Sequence, residues 1–329
     1  MWRRLAISLL VLLCACACRA EPLQRVPIAV DHGLAAYANR PLNMTGGDSE
    51  VERVVVVLHG VRRNPADYFR IAQRLSSDLS WPVSHTLVLA PGFFTARDLP
   101  GRVDLPLWDK TWMQASPSVA GRVGISPIQA LDELLTWVGN EQHYPHLRHI
   151  ILMGHSAGGQ LLQRYAVLGH ADLALANRDI KVRYVISSPS SYLYFDARRP
   201  VAGGFAQTVE GDCPGVDRYR YGLQALPDYL DPGLNSRRLF QRYATRDITY
   251  LVGALDNDPS PPLLDRSCAA LAQGGSRLQR QRNYLAYERQ LSRDWHLPLT
   301  RKHGEIPGVG HGAKTLYRAK EALELLKDE

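Results

Sequence analysis

The chain has 329 residues, of which 45% are apolar and 22% are charged; these ordinary values allow a large core and exclude a wholly disordered protein. The formal net charge is +7, and it falls to +4 (36 basic against 32 acidic residues) without Arg3, Arg4 and Arg19 of the N-terminal segment. The other Lys and Arg residues are scattered, without the basic stripe or aromatic platform of a nucleic-acid-binding protein, so no nucleic-acid partner is expected.

Residues 1–20 have the pattern of a signal peptide. Arg3 and Arg4 precede an apolar run, residues 5–13, that is too short to span a bilayer, and small residues follow it as far as Ala20. We expect cleavage after Ala20, which leaves residues 21–329 as one mature domain. The residues just after the apolar run also resemble a bacterial lipobox, which would leave a lipid anchor on Cys16. Both interpretations predict a secreted or periplasmic protein, and no later stretch is long and apolar enough to cross a membrane.

Cysteine usage agrees with export. Three of the five Cys residues lie in the leader, and only Cys213 and Cys268 remain in the mature chain. In an oxidising compartment two cysteines allow one connectivity, so we predict a disulfide between them; two buried thiols are the alternative. No pair has C-x-x-C spacing and no group resembles a zinc site, so no metal is expected.

The first strong element of the mature chain is residues 51–58 (VERVVVVL), a β-branched run typical of a buried central strand. A His-Gly turn follows, and then Asn64 and Pro65 give an N-cap and a Pro at the first helical position. This loop can direct a backbone N–H, that of Val61, at the edge of the sheet. His59 within it is interpreted as structural, because the donor needed there is an amide.

A second strand, residues 86–90, leads into a long loop at 91–124 that is rich in Gly, Pro and Trp. Trp108 and Trp112 in this loop either line an apolar substrate cleft or plug the loop against the body of the protein; the sequence does not decide between these. Ser126 and Gln129 then form a capping box that predicts a helix as far as about residue 141.

The stretch 149–160 (HIILMGHSAGGQ) combines a short apolar strand, a G-x-S-x-G turn and the start of an amphipathic helix. Such a turn raises the hydroxyl of its central Ser above the sheet edge, and the following helix N-terminus supplies N–H donors beside it. Because the strand and the helix flank the motif as this geometry requires, Ser156 is predicted to be a nucleophile rather than part of an ordinary turn.

Beyond the turn, residues 182–187 and 248–252 predict two more strands. The stretch between them, about 191–247, is irregular, and we interpret it as an insertion that caps the active site. The second strand runs into a loop with Asp256 and Asp258. A polar helix (279–295), a short strand (299–303), a Gly-rich loop with His311 and a final helix (313–326) follow.

Strands that alternate with helices predict a mostly parallel sheet with helices on both faces, and ligands gather at the carboxyl ends of such strands. Ser156, Asp256 and His311 all follow strands at that edge. A serine hydroxyl needs an imidazole to take its proton, and the imidazole needs a carboxylate to fix its tautomer. The amides of Val61 and Ala157 are the predicted donors to an oxyanion.

Each of these assignments has rivals. Asp258 competes with Asp256 as the acid, and the G-x-x-D spacing after the strand favours Asp256. His59, His155 and His303 compete with His311 as the base; only His311 lies on a Gly-flanked loop after the last strand. No dinucleotide-binding, phosphate-binding or zinc-protease motif is present, so no cofactor is expected.

The motifs Leu58-His59-Gly60, Gly154-His155-Ser156-Ala157-Gly158, Gly253-Ala254-Leu255-Asp256 and Gly308-Val309-Gly310-His311 together resemble those of the α/β-hydrolase superfamily, in its order Ser, Asp, His. The resemblance covers the whole mature chain. Further segments, among them Pro189-Ser190-Ser191-Tyr192, look like those of a group of secreted esterase-like and lipase-like hydrolases, and extracellular polyester depolymerases share the general plan. No substrate-binding motif of those depolymerases is identified here; Tyr192, Trp108 and Trp112 are the candidate substrate-binding residues.

The resemblance implies a secreted serine hydrolase that cleaves small or polymeric carboxylic esters through an acyl-enzyme. Two alternatives remain open at this point. The same residues serve in the hydrolysis of amide or peptide bonds, and a hydrolase-fold protein can be an inactive binding protein. An intact Ser, Asp and His argue against the last of these.

Overall fold

The computed structural model describes residues 23–42, 46–231 and 233–327, so the predicted signal peptide lies outside the described residues. The strands of the described part are, in chain order, β1 (Gln24–Val26), β2 (Leu34–Ala38), β3 (Arg53–Leu58), β4 (Thr86–Pro91), β5 (Pro106–Leu107), β6 (Ala120–Gly121), β7 (His149–His155), β8 (Lys181–Ser187), β9 (Arg198–Val201), β10 (Gly204–Gln207), β11 (Asp247–Gly253) and β12 (Arg301–Ile306). The helices are α1 (Pro65–Asp78), α2 (Pro127–Val138), α3 (Ala157–Leu168), α4 (Ala171–Ala176), α5 (Ser236–Ala244), α6 (Cys268–Leu271), α7 (Arg277–Trp295), α8 (Ala313–Leu316) and α9 (Lys320–Leu326).

Eight strands form the main sheet, in the spatial order β1-β2-β4-β3-β7-β8-β11-β12. The strands from β4 to β12 in this order run parallel, while β1 and β2 form an antiparallel edge. Two short ribbons, β5-β6 and β9-β10, lie outside the sheet. The predicted fold class, a mostly parallel sheet with helices on both faces, is therefore confirmed. This arrangement brings the ends of β7, β8, β11 and β12 to one edge.

The strand β3 shows why the sheet is buried on both sides. Val54 and Val56 belong to one apolar cluster with α2, α3 and α7, and Val55 and Val57 belong to a second cluster with α1, α8 and α9. All four side chains are inaccessible to solvent. Since successive side chains of a strand point to opposite faces, an unbroken β-branched run fits only a sheet that is covered on both faces.

Two segments differ from the sequence prediction. The final helix is divided into α8 and α9, because Ala319 adopts an extended conformation after the buried Tyr317. The segment 191–247, expected to be irregular, contains the β9-β10 ribbon and α5. Helix α5 buries Leu239, Phe240 and Tyr243 against the main core, while its other face is charged. The sequence analysis did not predict α5, because its few apolar residues lie in a segment that is rich in Arg, Gly and Pro.

The predicted disulfide between Cys213 and Cys268 is present in the structure. It joins the loop after β10 to the start of α6. Val216, Tyr221, Ala269 and Ala270 pack around Cys213 in a small apolar cluster of their own. Among the described helices, none has the length and apolar character needed to cross a membrane.

Candidate active site

Ser156 stands at the junction between β7 and α3. Its backbone has a φ of 56° and a ψ of −116°, which is an unfavourable conformation for a residue with a side chain. The position is held by its neighbours, since the Ser156 amide donates to the Ser187 carbonyl at 3.0 Å and the Ser156 carbonyl accepts from Gln160 at 2.9 Å. The side chain is partly exposed. This is the strained turn that the G-x-S-x-G motif predicts.

The glycines around Ser156 are required by close packing. A Cβ on Gly158 would lie 2.5 Å from the Leu58 carbonyl oxygen, and one on Gly159 would lie 2.5 Å from the Ser187 carbonyl oxygen. Both carbonyls belong to the neighbouring strands β3 and β8. Because only a residue without a side chain fits there, α3 can begin directly against the ends of both strands.

His311 and Asp256 lie beside Ser156. The Nε2 atom of His311 is 3.0 Å from Ser156 Oγ, and its Nδ1 atom is 2.7 Å from Asp256 Oδ2. The Asp256 side chain is 4% exposed, whereas that of His311 is 34% exposed. The three predicted side chains thus form one hydrogen-bonded series with a buried carboxylate at one end and a partly exposed hydroxyl at the other.

The loops that carry Asp256 and His311 are joined to each other. The Leu255 amide donates to the Val309 carbonyl at 2.8 Å, and a Cβ on Gly253 would lie 2.2 Å from the same oxygen. Gly253 of the G-x-x-D motif therefore allows the two loops to touch. The rival acid Asp258 is exposed and accepts from the Ser260 amide at 2.8 Å instead of contacting His311.

Arg277 is a residue of the site that the sequence did not reveal. It is the first residue of α7, it is 2% exposed, and its Nη1 atom lies 3.5 Å from Asp256 Oδ1. Burial alone raises the pKa of Asp256, but the hydrogen bond from His311 and the positive charges of His311 and Arg277 outweigh it and bring the pKa below its ordinary value. Asp256 is thereby held ionised. The only sequence signal was a helix cap at Ser276, whose side chain accepts from the Gln279 amide.

The predicted oxyanion donors, the amides of Val61 and Ala157, follow β3 and β7, which are neighbours in the sheet. His59 is fully buried, and burial lowers its pKa to about 4, so it is neutral. Its Nδ1–H donates to the Gly60 carbonyl at 2.8 Å and its Nε2 accepts from the Phe93 amide at 2.9 Å. Because the C=O and N–H of one peptide point in opposite directions, a Gly60 carbonyl fixed by His59 turns the Val61 amide the other way. In the described part of the chain, neither the Val61 nor the Ala157 amide meets an acceptor.

The remaining histidines are not part of this series. His155 is buried next to His311, with ring centroids 4.8 Å apart, and does not contact Ser156 Oγ. His303 is exposed on β12. Among the described residues, no three His, Cys, Asp or Glu side chains are grouped in a way that could hold a metal ion.

The three candidate substrate-binding residues are corrected by their burial. Trp108, Trp112 and Tyr192 are 1%, 0% and 0% exposed, which leaves them no surface for a substrate. Trp112 stacks on Phe93 at 5.1 Å, Trp108 donates to the Ile125 carbonyl, and Tyr192 stacks on Tyr284 at 4.4 Å. Of the two interpretations of the tryptophans, packing of the long loop against the body is the one that the structure supports.

A buried arginine fastens the region after β10 to the helix of the serine turn. Arg164 of α3 is fully buried and donates to the Gln160 carbonyl, to Ser191 Oγ and to the Arg220 carbonyl at 2.9, 3.2 and 3.2 Å. Tyr219 donates to the Gln114 carbonyl at 2.5 Å. Arg164 bonds both the Gln160 carbonyl, one helical turn beyond Ser156, and the Arg220 carbonyl. These bonds therefore hold the backbone of residues 219–220 near the N-terminal half of α3, the half that follows Ser156.

Comparison with known proteins gives one family and many similar folds. The model of the alpha/beta hydrolase family matches residues 54–321. The structure of poly(aspartic acid) hydrolase-1 from Sphingomonas sp. KT-1 is similar, with a TM-score of 0.64 and 18% identity over 93% of this chain and 97% of that one. The structure of LpqC, a poly(3-hydroxybutyrate) depolymerase from Bordetella parapertussis, is similar with a TM-score of 0.61 and 22% identity over 90% of each chain. No curated protein sequence matches the chain.

Proposed function

Because this chain belongs to the alpha/beta hydrolase family, we propose that it is a serine hydrolase that cleaves carboxylic esters, with Ser156, His311 and Asp256 as its catalytic residues. The observation that carries the proposal is the pair of hydrogen bonds at His311, 3.0 Å to Ser156 Oγ and 2.7 Å to Asp256 Oδ2. Both distances lie within the range that proton transfer and tautomer control require.

The reaction proceeds in two halves. Ser156 Oγ attacks the ester carbonyl carbon while His311 Nε2 takes the hydroxyl proton, and Asp256 stabilises the imidazolium that forms. The carbonyl oxygen, now negative, accepts from the amides of Val61 and Ala157. His311 then gives its proton to the departing alkoxide, which leaves an acyl group on Ser156. Water attacks this acyl-enzyme by the same route and releases the acid.

We propose that the substrate is an ester in preference to an amide. An alcohol is an easier leaving group than an amine and needs less exact protonation by His311. The two similar structures are named for the hydrolysis of poly(3-hydroxybutyrate), a polyester, and of poly(aspartic acid), a polyamide. A polymeric substrate therefore belongs to the proposal beside small esters, and the amide bond stays as its alternative. Both likenesses are below 25% identity and establish the fold alone.

We also propose that the part of residues 191–247 that precedes α5 forms a cap over this site and that the protein is exported; α5 itself bonds to the far end of α3 through Arg242. The bonds from Arg164 and Tyr219 support the first statement, since they tie the 219–220 backbone to the serine side of the sheet. The pattern of residues 1–20, with lipid attachment at Cys16 as the alternative to cleavage after Ala20, supports the second. The Cys213–Cys268 disulfide is consistent with an oxidising compartment.

A substrate panel tests the proposed activity. Purified protein is assayed on p-nitrophenyl esters from acetate to palmitate, on a matched p-nitroanilide and on a film of poly(3-hydroxybutyrate), each beside the Ser156→Ala variant. Ester turnover that the variant lacks supports the proposal. Turnover of the anilide alone would shift the substrate class to amides, and no turnover of any substrate by the wild type would favour an inactive binding protein.

A further inference from the structure

His155 occupies the position between the nucleophile and the base. It immediately precedes Ser156 in the chain, it is 2% exposed, and both of its ring nitrogens have partners. Nε2 lies 3.0 Å from the backbone carbonyl oxygen of His311, and Nδ1 lies 3.1 Å from Ser187 Oγ. One ring therefore connects the end of β8 to the loop that carries His311.

The proton positions in this connection follow from the partners. A carbonyl oxygen can only accept, so the Nε2 atom of His155 carries the hydrogen and donates to His311. Burial lowers the pKa of His155 to about 3, so the ring is neutral and its Nδ1 has no proton. Nδ1 must then accept, and the hydroxyl of Ser187 is the donor within reach.

Tyr317 completes the series. Its hydroxyl lies 2.6 Å from Ser187 Oγ, and burial raises its pKa, so it keeps its proton. Since the single proton of Ser187 points at His155, Tyr317 donates to Ser187. Ser187 Oγ is also 3.0 Å from the Gly154 carbonyl, but a proton directed there would leave Nδ1 of the buried His155 without a donor. The series is thus Tyr317 to Ser187, Ser187 to His155, and His155 to the His311 carbonyl.

We propose that His155 and Ser187 are positioning residues that fix the backbone of His311 relative to the hydroxyl of Ser156. Ser187 acts on both partners of the proton transfer. Its carbonyl accepts from the Ser156 amide at 3.0 Å, while its hydroxyl orients the ring that holds His311. Tyr317, six residues after His311, ties the other end of the same short segment to Ser187. The proposal rests on the function proposed above, because it assigns no role apart from that proton transfer.

Because His155 is neutral, it does not oppose the protonation of His311. The two imidazole rings are 4.8 Å apart, and His311 becomes positively charged each time it takes the proton of Ser156. A second charged ring at that distance would oppose the step. A buried neutral ring supplies a hydrogen bond to the backbone of His311 without adding charge beside it.

Matched variants at positions 155 and 187 test the proposal with a p-nitrophenyl ester, with thermal unfolding and with the rate of labelling by a fluorophosphonate. His155→Phe and Ser187→Ala should lower kcat and the labelling rate by about ten- to a hundredfold at nearly unchanged KM, the scale of a misplaced base. His155→Gln keeps an amide donor for the His311 carbonyl and should recover most of the loss. The control Ser76→Ala removes another buried serine hydroxyl, which bonds within α1 to the Ala72 carbonyl. This variant should have the kcat and labelling rate of the wild type.

Two outcomes would overturn the proposal. One is a His155→Phe variant that folds and retains kcat within about threefold of the wild type, a smaller effect than a misplaced base gives. The other is an equal loss in His155→Gln and His155→Phe, which would mean that a donor to the His311 carbonyl is not what His155 contributes. If His155→Phe does not fold, Ser187→Ala decides by the same criterion. Ester turnover that the Ser156→Ala variant retains at the wild-type level would instead refute the proposed function.

Discussion

Arg277 lies 3.5 Å from the carboxylate of Asp256, and both side chains are almost completely buried. Asp256 therefore faces two cationic or proton-donating partners, Arg277 on Oδ1 and His311 on Oδ2. Arg277 is the first residue of α7 and follows Asp256 by 21 residues in the chain. Burial alone would raise the pKa of Asp256; the hydrogen bond and charge of His311, with the charge of Arg277 added to them, bring that pKa below its ordinary value.

Arg277→Leu should therefore harm both stability and activity. The change leaves a buried carboxylate without its cation, and we expect the free energy of unfolding to fall by about 3 kcal/mol. Activity should fall as well, because Asp256 then has a raised pKa and an unfixed Oδ1. The matched control is Arg282→Leu, which breaks the exposed pair with Glu305 and should cost less than about 1 kcal/mol. Urea unfolding and ester turnover of both variants check this, and equal effects would contradict the assigned role.

Asp256→Asn should reduce kcat by about 10⁴-fold, because an amide in that place stabilises the wrong tautomer of the base. Asp258→Asn should change turnover by less than about threefold, since surface substitutions away from such features are nearly neutral. Steady-state kinetics on one ester decide the ranking. The reverse order would move the acid to Asp258.

The buried histidines predict a loss of stability on acidification. The pKa values of His155 and His59 are about 3 and about 4 in the folded protein, against 6.5 for an ordinary histidine. Below pH 6.5 the unfolded chain therefore binds protons that the folded chain does not. The free energy of unfolding is fully retained above that pH and falls toward pH 4, by up to about 1.4 kcal/mol per pH unit for each ring.

A comparison of two proteins isolates this effect. Asp217, whose pKa burial raises to about 6, acts in the opposite direction, but it is the same in wild type and in His155→Gln. The free energy of unfolding is measured with urea at pH 7.5, 6.5, 5.5 and 4.5. Between pH 6.5 and pH 4.5 it should fall less in His155→Gln than in the wild type. If the free energy of unfolding depended on pH in the same way in both proteins, a neutral, buried His155 would be contradicted.

How far the sequence predicts this fold depends on the local signal of each element. The β-branched β3 and the strand, turn and helix around Ser156 carry strong patterns, and these elements are found as predicted. The strand β2, which lies between β1 and β4, was not predicted, because LAAYA has neither alternation nor β-branched residues. Trp112 could not be assigned from sequence, since a loop without periodicity does not show which side chains point inward. Contacts such as Arg277 with Asp256 depend on the tertiary fold and leave no local trace.

Loss of the disulfide should loosen the segment around Cys213 more than the sheet. A cross-link across a sequence separation of 55 residues stabilises by about 4 kcal/mol in the loop-entropy model. The double change Cys213→Ser and Cys268→Ser should lower the melting temperature, while hydrolysis of small esters should partly survive. The main sheet carries the catalytic loops without it.

Limited proteolysis locates the loosened region. In the double variant, new cleavage is expected within residues 208–224, and the sheet strands should stay protected. Two free thiols in the wild-type protein, found by mass mapping without reduction, would remove the basis of this prediction.

The most direct test of the account is the mass of the protein after reaction with a fluorophosphonate. An activated serine displaces fluoride and keeps the phosphonyl group, whereas an ordinary serine does not react at that rate. We predict one adduct per chain, located on Ser156 by peptide mapping, and no adduct on the Ser156→Ala variant. A wild-type protein that stays unlabelled while it hydrolyses esters, or an adduct on another residue that Ser156→Ala retains, would contradict the assignment of Ser156, His311 and Asp256.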